Sequence, residues 1–424
     1  MPKTIHVYLT LFILTCFAST ATPAFAQEKP NYDEAKVGVY QLPDPLLNSH
    51  QKKVRTAADW EGSRRKEVLQ LFKQHVFGQF PGQAKDIHFV TQRIDSSAVE
   101  GLAIAKQVRI YLTAGKKGPF IDLLLYVPAH TSERVPVFAG WNFNGNHNVS
   151  TDEQILISQN YLDLLTLQKK NAAPTRGNQE KNWPVKTLLQ HGYGVATAYY
   201  GDVEPDHPQG WKTGIRSSLA KSLQLKYSDW CAIGAWAWGL SRMLDYLQTD
   251  NNVDAGKVIV LGHSRLGKAA LWAAANDTRF AGVISNNSGE GGAAIARRNY
   301  GETLQFITTT FPHWFIEKYK SYAADVNKLP VDAHLLLALA APRPLYVASA
   351  TDDQWADPHG EFLAAKNAEP VYALYGKKGL GITQMPAPDT SIGNTIRYHI
   401  RTGVHDILLF DWMQYIRFAD ELVR

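Results

Sequence analysis

Short continuous apolar runs alternate along the chain with stretches that are apolar at helical spacing. Ile121-Asp-Leu-Leu-Leu-Tyr-Val-Pro and Val135-Pro-Val-Phe-Ala-Gly-Trp read as strands, the second breaking into a loop rich in Asn and Gly. Tyr193-Gly-Val-Ala-Thr-Ala-Tyr-Tyr is another β-rich run. Ala232 to Gln248 is apolar at helical spacing and leads to Val258-Ile-Val-Leu, a short buried strand. Ala270 to Ala275 continues a helix, and Gly282-Val-Ile-Ser and Pro344-Leu-Tyr-Val-Ala-Ser-Ala are further strands. Strands apolar at every position need cover on both faces. The alternation therefore predicts an α/β fold, a mostly parallel sheet flanked by helices on both faces as a three-layer sandwich. No internal repeat or low-complexity linker interrupts it.

The two ends differ from this pattern. Met1-Pro-Lys-Thr, an apolar stretch from Val7 to Ala18 and small residues ending Ala24-Phe25-Ala26 describe a secretory leader, residues 1–26, cut after Ala26. The apolar stretch falls short of the roughly 20 residues that span a bilayer, and no later segment supplies a span. The protein is therefore expected to be exported, to the periplasm or beyond. Cys16 would leave with the leader, although Leu14-Thr15-Cys16 faintly resembles a lipoprotein processing site, and Cys231 alone cannot form an internal disulfide. Residues 27–85 are polar and helical in flavour, with Trp60-Glu-Gly-Ser-Arg-Arg-Lys-Glu-Val-Leu-Gln-Leu-Phe placing apolar residues at helical spacing. They read as an N-terminal elaboration of a catalytic domain at 86–424.

Composition narrows the function classes. The formal charge is +5, or +4 once a leader holding Lys3 and no acid is removed. No run of Lys or Arg could track a phosphate backbone, so nucleic acid is a poor partner. A monomer is expected.

The most specific segment is Val258-Ile-Val-Leu-Gly-His-Ser-Arg-Leu-Gly-Lys. A buried strand runs into Gly262-His263-Ser264 and a helix begins at once. Such a turn holds the serine hydroxyl at the tip of a tight bend, with the first helical N–H groups nearby, as in the α/β-hydrolases. At Gly262 a side chain would collide with neighbouring backbone. The second glycine falls at Gly267, one place later than in G-x-S-x-G, because Leu266 stands at the usual position. The competing reading is a serine that merely caps the helix.

A serine nucleophile needs a base and a group to orient it, and in α/β-hydrolases the chain order is serine, acid, histidine. Among His313, His334, His359, His399 and His405, the last is best placed, in Thr402-Gly-Val-His-Asp ahead of a terminal helix. His399 suits a structural role, and His313 and His334 suit packing or ligand contact. The acid belongs in the loop leaving a late strand, where Thr351-Asp-Asp-Gln-Trp-Ala-Asp offers Asp352, Asp353 and Asp357. Two of the three must be loop or helix-cap residues. Trp141, Asn142 and Asn144 follow an early strand where this fold completes its pocket.

Gly262-His-Ser-Arg-Leu-Gly-Lys, with Trp183-Pro-Val, Tyr199-Tyr-Gly-Asp, Ala235-Trp-Ala-Trp-Gly, Asn286-Asn-Ser-Gly, Pro312-His-Trp-Phe, Ala341-Pro-Arg-Pro and Trp355-Ala-Asp-Pro, resembles the bacterial glucuronoyl esterases of carbohydrate esterase family 15. The likeness runs from about residue 60 to the end. It implies hydrolysis of the ester joining 4-O-methyl-glucuronic acid of glucuronoxylan to a lignin alcohol, without metal or organic cofactor. Carried across, it makes Ser264 the nucleophile, His405 the base, Asp353 the acid and Arg265 the oxyanion partner. It also makes Lys268, Glu302 and Trp355 the residues that hold the uronate, with Lys268 one turn after Ser264 and expected to face the same opening.

Two departures from the family pattern stand out. Asn287 occupies the place where some relatives carry a glutamate as alternative acid. Glu290 and Ile316 stand where relatives often carry cysteines, so that bridge is absent, and Glu290 becomes a second, weaker candidate for the acid. Competing readings are an acetyl or feruloyl esterase, a peptidase, and a sugar-binding relative without activity.

Overall fold

Ten strands form one sheet in the computed structural model, which describes residues 30–82, 86–113, 115–116, 118–160 and 175–423. The leader, its expected cut after Ala26 and Cys16 lie outside the described residues. The strands are β1 (His88–Ala98), β2 (Ala103–Tyr111), β3 (Phe120–Pro128), β4 (Val135–Asn142), β5 (Gly194–Tyr199), β6 (Val253–His263), β7 (Gly282–Asn286), β8 (Leu345–Ala350), β9 (Ile392–Gly393) and β10 (Ile396–Arg401). Their order is β1-β2-β3-β5-β4-β6-β7-β8-β10-β9. From β5 to β10 all neighbours are parallel, while β1 to β3 and the short β9 add antiparallel edges.

The continuous apolar runs have the expected cause. Val137, Val260, Val283 and Val347 enter the core on one face, and their neighbours Phe138, Ile259, Ile284 and Tyr346 enter the core on the other. Because side chains alternate with a period of two, a strand buried on both faces must be apolar throughout. Helices α1 (Ala232–Leu247), α2 (Arg265–Asn276) and α3 (Pro358–Ala373) contribute to the first core, and α4 (Leu409–Leu422) with Val185–Gln190 to the second. This is the three-layer α/β architecture that the pattern predicts. Every residue of α1 is buried, as its nearly unbroken apolar composition requires.

Residues Ala57–Phe77 form continuous helical structure that opens with a reciprocal cap between Thr56 and Asp59. It has no separate core. Trp60, Val68, Phe72 and Phe77 join the first core, and Phe77 stacks on Trp272 of α2 at 4.7 Å between ring centres. Arg65 donates to the carbonyl oxygen of Ala275 at 2.8 Å, near the end of the same helix.

The chain leaves β4 for β5 on one side and later reaches β6 on the other, so a crevice opens beyond the carboxyl ends of β4 and β6, where open α/β sheets bind ligands. His263 and Ser264 stand at that point.

Candidate active site

Ser264 sits between β6 and α2 with φ of 57° and ψ of −133°, a conformation that costs a non-glycine residue about 1–3 kcal/mol. The surroundings enforce it. A Cβ on Gly262 would lie 2.1 Å from the carbonyl oxygen of Leu266, and one on Gly267 would lie 2.9 Å from Cβ of Ser288. The displaced second glycine is thus a packing requirement against the loop after β7, while Leu266 is buried in the core. Ser264 occupies the N-cap of α2, yet its side chain makes no capping hydrogen bond. That removes the helix-cap explanation for the residue and leaves its hydroxyl available.

A cavity of about 390 Å³ is lined by Ser264, Arg265, His263 and His405, together with Trp141, Phe143 and Asn144 from the end of β4. Asn142 instead holds the loop in shape: its side chain accepts from the backbone N–H of Gly145 at 2.7 Å and donates to Asn146 at 2.9 Å.

His405 Nδ1 is 2.6 Å from Asp353 Oδ2. The same oxygen accepts a 2.7 Å hydrogen bond from Asn287 Nδ2. Burial alone would raise the Asp353 pKa, but His405 and Asn287 outweigh it and hold the carboxyl below its usual range. Asn287 therefore serves as a hydrogen-bond donor to Asp353. The other two aspartates behave as the composition of the loop suggested. Asp352 is exposed, and Asp357 caps α3 by accepting from Gly360 N at 2.9 Å and pairs with Arg298 at 2.7 Å.

The loop that carries His405 is fixed by Arg401, which donates to the carbonyl oxygens of Thr402, Val404 and Asp406, and by a 3.0 Å bond from Gly403 N to Thr351 Oγ1. His399 is fully buried between Asp411 and Tyr346, at 2.8 and 2.9 Å, which makes it structural. His334 bonds to the carbonyl of Pro43 at 2.8 Å and His359 lies 3.2 Å from Glu34, both away from the cavity lining.

His263 packs on His405 with ring centres 4.5 Å apart. Burial, with the nearby His405, pushes its pKa down to about 4, and its Nδ1 lies 2.6 Å from Asn286 Oδ1. A neutral His263 ring places no competing positive charge beside His405 at neutral pH.

Arg265 borders the cavity, and one N–H of its guanidinium goes to Asp206. Asp206 was not legible as a site residue, nor was Trp314, which packs 4.8 Å from the guanidinium carbon. The Pro312-His-Trp-Phe segment was a signal for Trp314. Asp206, in an ordinary loop, offered none.

Lys268 does not open onto the cavity as expected. It is buried, donates to the carbonyl oxygen of Ser288 at 2.6 Å and lies 3.9 Å from Glu302. The reason is the direction of α2, which carries its second turn behind the loop after β7. Burial lowers the Lys268 pKa and raises that of Glu302. The backbone N–H of Glu302 donates to the carbonyl oxygen of Trp355 at 2.8 Å, and the Trp355 ring packs edge-on against Phe306. The three expected uronate residues therefore form a connected cluster, joined to Arg265 through Trp314, whose ring also lies 5.6 Å from Lys268 Nζ.

Glu290 is buried and accepts from Tyr319. Burial pushes its pKa up to about 8. A carboxyl raised in the folded state binds a proton on folding. It contributes stability below about pH 4.5, and that contribution is lost as the pH rises toward 8. Glu290→Gln should consequently flatten the fall of the unfolding midpoint between pH 5 and 8. At pH 8 the variant should melt higher than the wild type, by about 2 °C or more; parallel melting curves for the two proteins would contradict this.

Residues 222–376 match the family model described as glucuronyl esterase, fungi. The carbohydrate esterase MZ0003 from an unknown prokaryotic organism is 45% identical over 421 residues, covering 97% of each chain. A 4-O-methyl-glucuronoyl methylesterase from Wolfiporia cocos is 36% identical, over 85% of this chain and 76% of its own. The solved structure of a glucuronoyl esterase from Solibacter usitatus superposes with a TM-score of 0.87 at 45% identity, over 91% of this chain and 99% of that one.

Proposed function

The chain belongs to the glucuronoyl esterases of carbohydrate esterase family 15, and from that premise we propose that Ser264, His405, Asp353 and Arg265 carry out its ester hydrolysis. The activity is that of a carboxylic ester hydrolase acting on glucuronoyl esters. The observation that carries the site assignment is one geometry: an uncapped serine at a strained bend shares a cavity with a histidine whose other ring nitrogen is held by a buried aspartate.

His405 Nε2 takes the proton from Ser264 Oγ as that oxygen attacks the uronate carbonyl carbon. The carbonyl oxygen becomes an oxyanion, held by Arg265 and its backbone N–H. The C–O bond to the alcohol breaks, and the alcohol leaves with the proton from His405. Water then attacks the acyl-serine with His405 again as base, releasing the uronic acid and restoring Ser264 Oγ–H. Asp353 keeps Nδ1–H pointing inward and stabilises the imidazolium. Lys268, Glu302 and Trp355 are assigned to the uronate hydroxyls, a role that the connected cluster supports and that would need substrate to reach past Trp314.

Glucuronoxylan esterified to an aromatic lignin alcohol is the proposed natural substrate, met after export with the leader removed behind Ala26. Among the described residues no helix is long and apolar enough to cross a membrane. Arg265→Ala should lower kcat by roughly 100-fold or more with little change in KM, because the lost interaction belongs to the transition state. The substrate assignment is tested by rates on benzyl or methyl glucuronate esters against acetylated xylan and para-nitrophenyl acetate. Faster turnover of acetylated xylan would overturn it.

A further inference from the structure

We propose that Asp206 is a positioning residue for the reaction, holding the guanidinium of Arg265 at the cavity edge so that its remaining N–H groups meet the oxyanion. This rests on the reading of Arg265 as oxyanion partner. Asp206 accepts four donors, two on each oxygen. Oδ1 takes His313 Nε2 and Trp314 Nε1, each at 2.7 Å. Oδ2 takes Tyr200 Oη at 2.9 Å and Arg265 Nη1. Among the described residues Asp206 alone forms an ion pair with Arg265.

The anchor is itself rigid. Trp236 Nε1 donates to the carbonyl oxygen of Glu204 at 2.9 Å, and Glu204 pairs with Arg216, both of them buried. Asp206 is thus held two residues from a point pinned to α1. Burial would favour a neutral acid, but His313, Arg265 and Trp314 keep the carboxyl ionised, well below the usual carboxylate range.

Aromatic rings surround the guanidinium. Trp314, Phe143 and Phe311 lie 4.8, 5.6 and 6.0 Å from its central carbon. Arg265 Nε is buried and makes no hydrogen bond among the described residues. A planar cation boxed by rings and bonded at one nitrogen has its remaining donors fixed in direction. A donor fixed before the reaction stabilises the developing charge without reorganising.

Two effects of Asp206 oppose each other. Its charge partly offsets that of Arg265, which by itself disfavours an oxyanion, whereas its hydrogen bond fixes the geometry. The carboxylate shares its charge among four donors, so its field at the cavity is diluted while its grip on Nη1 is not. Geometry should dominate. Charge alone would make Asp206→Asn faster, so a slower enzyme reports lost positioning.

The test is a double-mutant cycle on a benzyl glucuronate ester, with Asp206→Asn, Arg265→Ala and the pair, each melted to establish folding. Asp206→Asn should reduce kcat by about 10-fold or more with KM nearly unchanged, and should have no further effect in the Arg265→Ala background. Wild-type or raised kcat in Asp206→Asn, with Arg265→Ala still impaired, overturns the proposal while the oxyanion reading stands. An unimpaired Arg265→Ala overturns that reading and the proposal together. Equal losses from Asp206→Asn in both backgrounds show a structural role and also overturn the proposal. If Asp206→Asn does not fold, Tyr200→Phe replaces it. That variant keeps the charge and removes one bond to Oδ2, and should slow kcat several-fold only when Arg265 is present; the same loss without Arg265, or none with it, decides against the proposal.

Discussion

Ser264→Ala is expected to reduce kcat by at least about 10⁴-fold while leaving the fold and the unfolding midpoint unchanged or slightly improved. In the proposed mechanism the hydroxyl forms the acyl bond, and nothing else described in the cavity can replace it at the bend; burial keeps His263, its neighbour, neutral. Removing a nucleophile from a serine hydrolase leaves only the rate that binding and the oxyanion site provide to attack by water. The fold should tolerate the change because the Ser264 side chain caps nothing in α2. Alanine keeps the strained φ, so no relief of backbone strain is expected. Steady-state kinetics on a glucuronate ester and a melting curve check both halves. Residual activity within tenfold of the wild type would move the nucleophile elsewhere, and a collapse in stability would return Ser264 to a structural role.

The second large effect separates two buried acids. Asp353→Asn should lower kcat by about 10²–10⁴-fold, whereas Glu290→Gln should change it by less than about twofold. In the wild type, Asp353 Oδ2 receives both His405 and Asn287. An asparagine at position 353 has two ways to sit. With its oxygen toward both donors it preserves the His405 tautomer and loses only the charge that stabilises the imidazolium. With its nitrogen there, it faces the Asn287 donor and forces His405 to accept, leaving Nε2 protonated and useless as a base. Asn287 favours the first arrangement, so the loss should fall toward the lower end of the range. Replacing Asn287 by Leu in the Asp353→Asn enzyme should deepen it. Glu290 is bonded to Tyr319, whereas His405 Nδ1 is taken by Asp353. The reverse ranking of the two variants would reassign the acid.

Much of this architecture is local in origin. The strand β6, the bend at Gly262 and Ser264, and the start of α2 occupy adjacent residues, so their geometry follows from apolar runs, glycine and helix propensity. The parallel strands β4 to β8 were legible for the same reason, each carrying a short, mostly apolar run. The edge strand β1 was not, because most of its residues are exposed and its sequence has no buried face to betray it. The helical pattern at residues 60–72 was visible too, although its attachment to α2 through Arg65 and Phe77 was not.

The sequence by itself thus determined the layers, the bend with its serine, and a short set of histidines and aspartates in the right order. Only the tertiary structure chose among them. Asp353 is distinguished from Asp352 and Asp357 by meeting His405, 52 positions later, and Asn287, 66 positions earlier. Lys268 is turned inward by the loop after β7, and Asp206 reaches Arg265 across 59 residues. Periodicity and turn chemistry act over a few neighbouring residues. Which carboxylate meets which cation depends on how separate elements pack, and no local pattern encodes that.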